Sequence, residues 1–378
     1  MEKSYNDYKR NIFELTTTDT LILKGIAILA MLVHHVYGCA PETLILQPYS
    51  GILGFLGNVG KVCVSIFLFC SGYGLAKQFE QYSLNKTNLL NIIKFIINRL
   101  IKFYAGYWPI FIIFVPLGVC LFDISLEARY GTNDFILKRL FYDIFGIQGH
   151  HSYNITWWFN KLILLLYFLF PFFYYIVKNI KYIAFCFSFG IMFFSDNYLS
   201  QYNYYYLLLW QFPFVLGIIL SVISREKWVI NLSSFLSNHK NITNLSIILI
   251  TLLLLLQRAY TFINLPLGFD TIKLDGIITL FLVIGVSYNS FPQLVNSVLI
   301  FLGKHSMNIY MIHTFLYWYW FSQFFYSDLL SVSGLNALFL LCCCILLSLI
   351  IEKIKTITCY NKMVDICIAY IKKYKLVD

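Results

Sequence analysis

Apolar runs of about 18 to 22 residues recur along this chain, each long enough to cross a hydrocarbon core about 30 Å thick as a helix. That feature removes most soluble architectures. Hydrophobic residues make up 59% of the 378 and charged residues only 12%. The mean hydropathy of +0.71 lies far from that of an ordinary soluble domain. A transmembrane barrel would show alternating segments of about ten residues, and the sequence has no such pattern. The first apolar run follows a polar stretch, MEKSYNDYKR onward, and lacks a small-residue cleavage site. It is therefore expected to stay as a span rather than leave as a signal peptide.

The fold class expected is an all-α integral membrane protein, a bundle of about ten transmembrane helices. The spans fall at approximately 20–39, 56–76, 103–122, 157–177, 182–195, 204–223, 244–263, 272–290, 305–322 and 334–351. Gln293 to Leu302 reads as a short separate helix at the inner interface. With the N-terminus inside, 21 of the 28 lysines and arginines lie in inner segments, so both termini are expected in the cytoplasm. Residues 1–351 then form one membrane domain, and 352–378 a basic cytoplasmic tail. The net charge of +10 reflects this asymmetry and contact with anionic lipid. Nucleic acid is not an expected partner, because no soluble domain carries a site for it. The ten cysteines sit mostly inside spans and read as packing residues, with neither a disulfide framework nor a metal spacing.

Leu23 to Tyr37, LKGIAILAMLVHHVY, carries a cation near its start and two histidines near its end. Lys24 and His35 are eleven positions apart, so on a helix they share a face, about three turns and roughly 16 Å apart. His34 is rotated away by about 100°. A buried imidazole in line with a cationic helix entrance suits a site that takes an anionic ligand from one side and reacts its far end deep inside. The plainer alternative is a capping lysine and a satisfied interior histidine.

The long connection Phe122 to Thr156 holds acids, bases, His150 and His151, and leads into Trp157 and Trp158. Loops of this length are usually functional. Paired tryptophans are either an interfacial belt or a stacking face for a sugar. Lys77 to Lys102 is a basic inner connection, suited to lipid head groups or to the phosphates of a carrier. Ser71, Gly72 and Gly74 end the second span, where small residues allow helices to approach. In FLGKHSMNIYMIH, His313 lies in mid-membrane, where a histidine faces the bundle interior or a wet cavity.

Taken together, LKGIAILAMLVHH (23–35), KVCVSIFLFCSGYGL (61–75), NRLIKFYAGYW (98–108), SYNITWWFNKLILLLYFLFPFF (152–173), FPFVLGIIL (212–220) and FLGKHSMNIYMIH (301–313) resemble the acyltransferase 3 family. These are bacterial multi-span membrane proteins that O-acylate surface and secreted polysaccharides, and the resemblance covers nearly the whole chain. The family's first-helix motif, an arginine, ten residues and a histidine, maps to Lys24 and His35. Lysine keeps the charge but lacks the planar fork. The serine-glycine motif maps to Ser71 and Gly72, and the basic pair of the third helix to Arg99 and Lys102. The extra hydrolase-like domain of some relatives is not expected here.

The resemblance implies transfer of an acyl group, most often acetyl from acetyl-CoA, to a glycan hydroxyl at a bacterial cytoplasmic membrane. It makes His35 the general base and Lys24, Arg99 and Lys102 the cationic vestibule for coenzyme A. Ser71 and His313 would line the chamber, and the acceptor would pass Trp157 and Trp158. No metal is implied. A competing reading is a transporter or flippase of an envelope intermediate without chemistry, for which mid-membrane polar residues are equally expected. Two others are an inactive membrane sensor and an enzyme with a different acceptor. The acyl group, the acceptor and the oligomeric state are not fixed by the residues.

Overall fold

A computed structural model describes residues 11–39, 51–83, 89–131, 133–199, 205–264, 271–327 and 334–373, and among these there is no strand. The helices are α1 (Thr17–Val33), α2 (Gly51–Val59), α3 (Cys63–Ser83), α4 (Leu89–Leu121), α5 (Leu126–Tyr130), α6 (Asn133–Ile144), α7 (Trp158–Leu199), α8 (Tyr205–Ile223), α9 (Lys227–Asn238), α10 (Lys240–Asn264), α11 (Asp275–Tyr288), α12 (Gln293–Thr314), α13 (Ser322–Phe325), α14 (Asn336–Ile357) and α15 (Tyr360–Lys373). Seven stretches are long and apolar enough to cross a membrane: Thr17–Gly38, Gly51–Gln81, Leu89–Leu121, Ile155–Ser195, Tyr206–Ile223, Lys240–Arg258 and Asn336–Ile357.

Three departures from the ten expected spans have physical causes. The fourth and fifth form one stretch bent at Ile180, whose φ of −133° and ψ of 44° break the helix where a loop was expected. The eighth is only the 14-residue α11, about 21 Å long at 1.5 Å per residue. The ninth belongs to α12, which runs unbroken from Gln293. No separate interfacial helix precedes it, and polar residues such as Asn296, Ser297, Lys304 and His305 interrupt its apolar run.

The described residues fall into two compact units. The first comprises Met1–His34, Gly54–Gln78 and Phe170–Lys304. Its helix α1 starts in a capping box: Asp19 N–H donates to Thr16 Oγ1 at 3.1 Å, while Thr16 N–H donates to Asp19 Oδ2 at 2.7 Å, satisfying donors a helix start leaves open. Glycines then set two close helix crossings. A Cβ on Gly72 of α3 would lie 2.9 Å from the carbonyl carbon of Phe214 in α8, and one on Gly217 of α8 would lie 2.8 Å from Tyr73 N. Likewise Gly25 of α1 meets the backbone of Leu299 in α12, and Gly303 meets that of Leu21. Such contact replaces the hydrophobic drive that lipid does not supply. Deep in this unit Arg258 Nε donates to Asp275 Oδ1 at 2.5 Å, with both side chains essentially unexposed. Arg258 also donates to the Asn58 carbonyl, and Ser65 donates to the Asp275 carbonyl at 3.0 Å, so the buried ions are hydrogen-bonded as well as paired.

The second unit comprises His35–Leu53, Phe79–Leu169 and His305–Asp378. Here α15 packs against α4, so described residues expected as a tail are helical through Lys373. The long connection after α4 is also largely folded, as α5, α6 and two short 3₁₀ turns.

Candidate functional site

α1 is regular to Val33 and then opens into a π turn, His34–Gly38. α12 does the same at Phe315–Trp320, directly after His313 and Thr314. π turns are rare and concentrate at functional sites. In the first unit the end of α1 is fastened one residue ahead of His35. His34 Nδ1 donates to the Gly57 carbonyl at 2.7 Å, and Gly60 lies so close that a Cβ would sit 2.9 Å from His34 N.

In the second unit the two sequence-singled histidines come together. The His35 ring centroid is 4.8 Å from that of His313, with a 48° tilt. Tyr317 completes the cluster, 6.2 Å from His35 and stacked 6.0 Å from His313. His313 is fully buried and His35 half-buried. Carbonyls only accept, so His313 Nδ1, 2.7 Å from the Tyr310 carbonyl, carries a hydrogen.

The end of the long connection seats on this helix. Trp157 Nε1 donates to the Met311 carbonyl at 3.2 Å, and Asn154 Nδ2 to the same oxygen at 3.4 Å. Tyr310 OH donates to the Thr156 carbonyl at 2.7 Å. Trp157 is wholly buried, its ring 5.1 Å from Tyr107 and 5.7 Å from Phe315. Trp158 points elsewhere, as the 100° step of a helix requires. It stacks on His150 at 5.7 Å and 10°. Burial first, then the charges of His151 and Lys161, lower the His150 pKa.

Asp143 ties the connection together. Its Oδ2 accepts from Tyr130 OH and from Tyr153 N–H, both at 2.6 Å, while Tyr107 OH donates to its carbonyl at 2.5 Å. Burial raises this carboxyl's pKa, and those hydrogen bonds only partly oppose it. Sequence reasoning passed over Asp143. The signal was a lone acid on the stripe Ile136, Leu140, Asp143, which is the less exposed side of α6.

The remaining candidates are dispersed along the chain. Arg99 is half-buried on α4, its guanidinium 5.4 Å from the Phe95 ring centroid, and Lys102 is exposed one turn on. Lys24 is half-buried on α1. Ser71 Oγ donates to the Phe67 carbonyl at 2.8 Å, so its one hydrogen is bound within its own helix. No group of three or more His, Cys, Asp or Glu able to hold a metal occurs among the described residues. A crevice of about 330 Å³ in the first unit, lined by Phe13, Phe185, Leu220, Trp228 and Leu280 among others, is apolar and contains no histidine.

A family model described as an acyltransferase domain matches residues 22–353. Neither the curated proteins nor the solved structures include a significant match to the chain.

Proposed function

The chain belongs to the acyltransferase 3 family and is a membrane acyltransferase, and from that premise we propose that it moves an acyl group from cytoplasmic acyl-CoA to a hydroxyl of an extracytoplasmic glycan or glycan precursor. Acetyl is the simplest donor group. The carrying observation is the histidine pair, rings 4.8 Å apart. His35 is the general base, drawing the proton from the acceptor hydroxyl as the oxygen attacks the thioester carbonyl. Imidazole fits because its ordinary pKa lies near working pH.

Arg99, Lys102 and Lys24 supply charge for the coenzyme phosphates, arginine by its fork and lysine as a point charge. Ser71 offers its oxygen as an acceptor toward the coenzyme arm. Trp158, on the rim with His150, gives the acceptor sugar a stacking face, and buried Trp157 holds the His313 helix beneath it. Both termini lie in the cytoplasm, and the membrane is the bacterial cytoplasmic one. The chemistry requires no metal.

The test is acetyl-CoA binding and thiol release by purified protein in detergent, comparing wild type with His35→Ala and Arg99→Ala. Turnover that disappears in His35→Ala, with weaker binding in Arg99→Ala, supports the reading. A wild type that neither binds nor cleaves any acyl-CoA overturns the donor assignment.

A further inference from the structure

His313 is tied into a chain of side chains that the mechanism above leaves unused. With Nδ1–H committed to the Tyr310 carbonyl, Nε2 of the neutral ring is an acceptor. Thr314 Oγ1 lies 3.2 Å from Nε2, Thr156 Oγ1 lies 2.9 Å from Thr314 Oγ1, and Asn154 Oδ1 lies 2.7 Å from Thr156 Oγ1. The Asn154 amide orientation is fixed at both ends. Its Oδ1 accepts the Thr156 N–H at 3.0 Å, and its Nδ2 donates to the Met311 carbonyl.

Each hydroxyl has one hydrogen, so the chain has a direction. When His313 is neutral, Thr314 donates to Nε2 and Thr156 donates to Thr314. Asn154 Oδ1 then keeps only the Thr156 N–H. When Nε2 carries a proton, both hydroxyls turn. Nε2–H donates to Thr314, Thr314 to Thr156, and Thr156 to Asn154 Oδ1. The contacts from Nε2 through Thr314 to Thr156 are kept in either direction, and the charged state adds the hydrogen bond from Thr156 to Asn154 Oδ1. A buried ring that changes charge without neighbours able to reorient would leave polar groups unsatisfied, at high cost in a low-dielectric site. A hydrogen-bond set serving only helix packing needs one direction.

We propose that His313 shares with His35 the proton removed from the acceptor hydroxyl, and that Thr314, Thr156 and Asn154 are positioning residues whose reversible chain accommodates that charge. This rests on the reading of His35 as the base. The step balances. The acceptor O–H bond breaks as the new C–O bond forms, and the proton resides on the imidazole pair. The C–S bond then breaks, its electron pair leaves on sulfur, and the thiolate takes the proton as the free thiol, returning the pair to neutrality.

The test uses the full-length protein in detergent with acetyl-CoA as donor and water as acceptor, following thiol release. Thr314→Val keeps the shape and removes the hydroxyl. It should lower kcat about ten- to hundredfold, with KM for acetyl-CoA within about twofold of wild type. Thr314→Ser should recover most of the loss. Because the two hydroxyls act in series, Thr156→Val added to Thr314→Val should slow the reaction little further. Full-rate Thr314→Val, Thr314→Ser as slow as Thr314→Val, or losses that multiply would each overturn the chain. If His35→Ala is inactive while Thr314→Val runs at full rate, the chain fails alone. If His35→Ala still turns over, the base reading fails and the chain with it.

Discussion

Gly72 and Gly74 stand two residues apart on α3, and the structure assigns them opposite responses to alanine. Helix propensity alone favours both changes by up to about 1 kcal/mol, since alanine loses less backbone freedom than glycine. At Gly74 nothing lies within 4 Å of the added Cβ, so that gain stands alone. At Gly72 the Cβ would lie 2.9 Å from the Phe214 carbonyl carbon, and nearer still to its oxygen, where ordinary contact begins at 3.4 Å. The obstacle is backbone and cannot swing aside, so α3 and α8 must separate by half an ångström or more. Overpacking of that kind costs about 1–3 kcal/mol. A value in its upper half outweighs propensity and leaves a net loss of about 1–2 kcal/mol. Thermal unfolding in detergent should thus place Gly74→Ala at or above wild type and Gly72→Ala below it, about 2–3 kcal/mol apart. Equal midpoints, or a Gly72→Ala protein as stable as Gly74→Ala, would refute the close-crossing argument.

Asp143→Ala should destabilise strongly, because Tyr130 OH and Tyr153 N–H lose their acceptor at about 1–3 kcal/mol each, whereas Asp143→Asn keeps one oxygen for both. Burial raises the Asp143 pKa, so its contribution is fullest at low pH and fades as pH rises through the folded-state value. The wild type should therefore gain on Asp143→Asn in thermal midpoint as pH falls. Glu14 behaves oppositely. The hydrogen bond from Lys77, 2.8 Å away, lowers its pKa, so Glu14→Gln should be less stable than wild type at pH 7. That difference should vanish as acid protonates Glu14 below its ordinary 4.5. Arg258→Ala leaves Asp275 buried without its partner and should cost about 3–5 kcal/mol, while Arg258→Met combined with Asp275→Leu should regain most of it, read by yield and thermal midpoint. Trp157→Ala should cost about 3–5 kcal/mol, but Trp158→Ala, half-exposed beside His150, should leave the midpoint close to wild type.

Helical class was legible because span length and hydropathy are local properties. His35 and His313 were legible too, since an imidazole inside an apolar run stands out. Their 4.8 Å approach was not, because 278 residues separate them along the chain and no local pattern encodes which faces meet. The break at Ile180 falls in the gap expected between the fourth and fifth spans. With no proline or glycine there, the sequence did not show that it would be a bend in one helix rather than a loop. The tryptophan pair invited a single role for both rings, yet one helical step sends Trp157 into the interior and Trp158 to the rim. Asp143 was hidden for a different reason. Its acceptors are filled by Tyr130 and by a backbone N–H at Tyr153, and a backbone donor leaves no mark on composition. Gly72 read as a packing residue from the sequence, and close backbone approach is what it permits; Gly25, Gly217 and Gly303 do the same without having stood out among their apolar neighbours.

Arg258 and Asp275 also govern how this part of the chain can enter a bilayer during synthesis. An unpaired arginine or aspartate opposes partitioning of its own helix, and α11, about 21 Å long, has little apolar length with which to compensate. The two residues are only 17 positions apart, close enough for α10 and α11 to leave the insertion machinery as one hairpin, already neutralised. Biogenesis of this region is then a paired event, and separating the two helices in time, by a long insertion between them, would strand a charge in each.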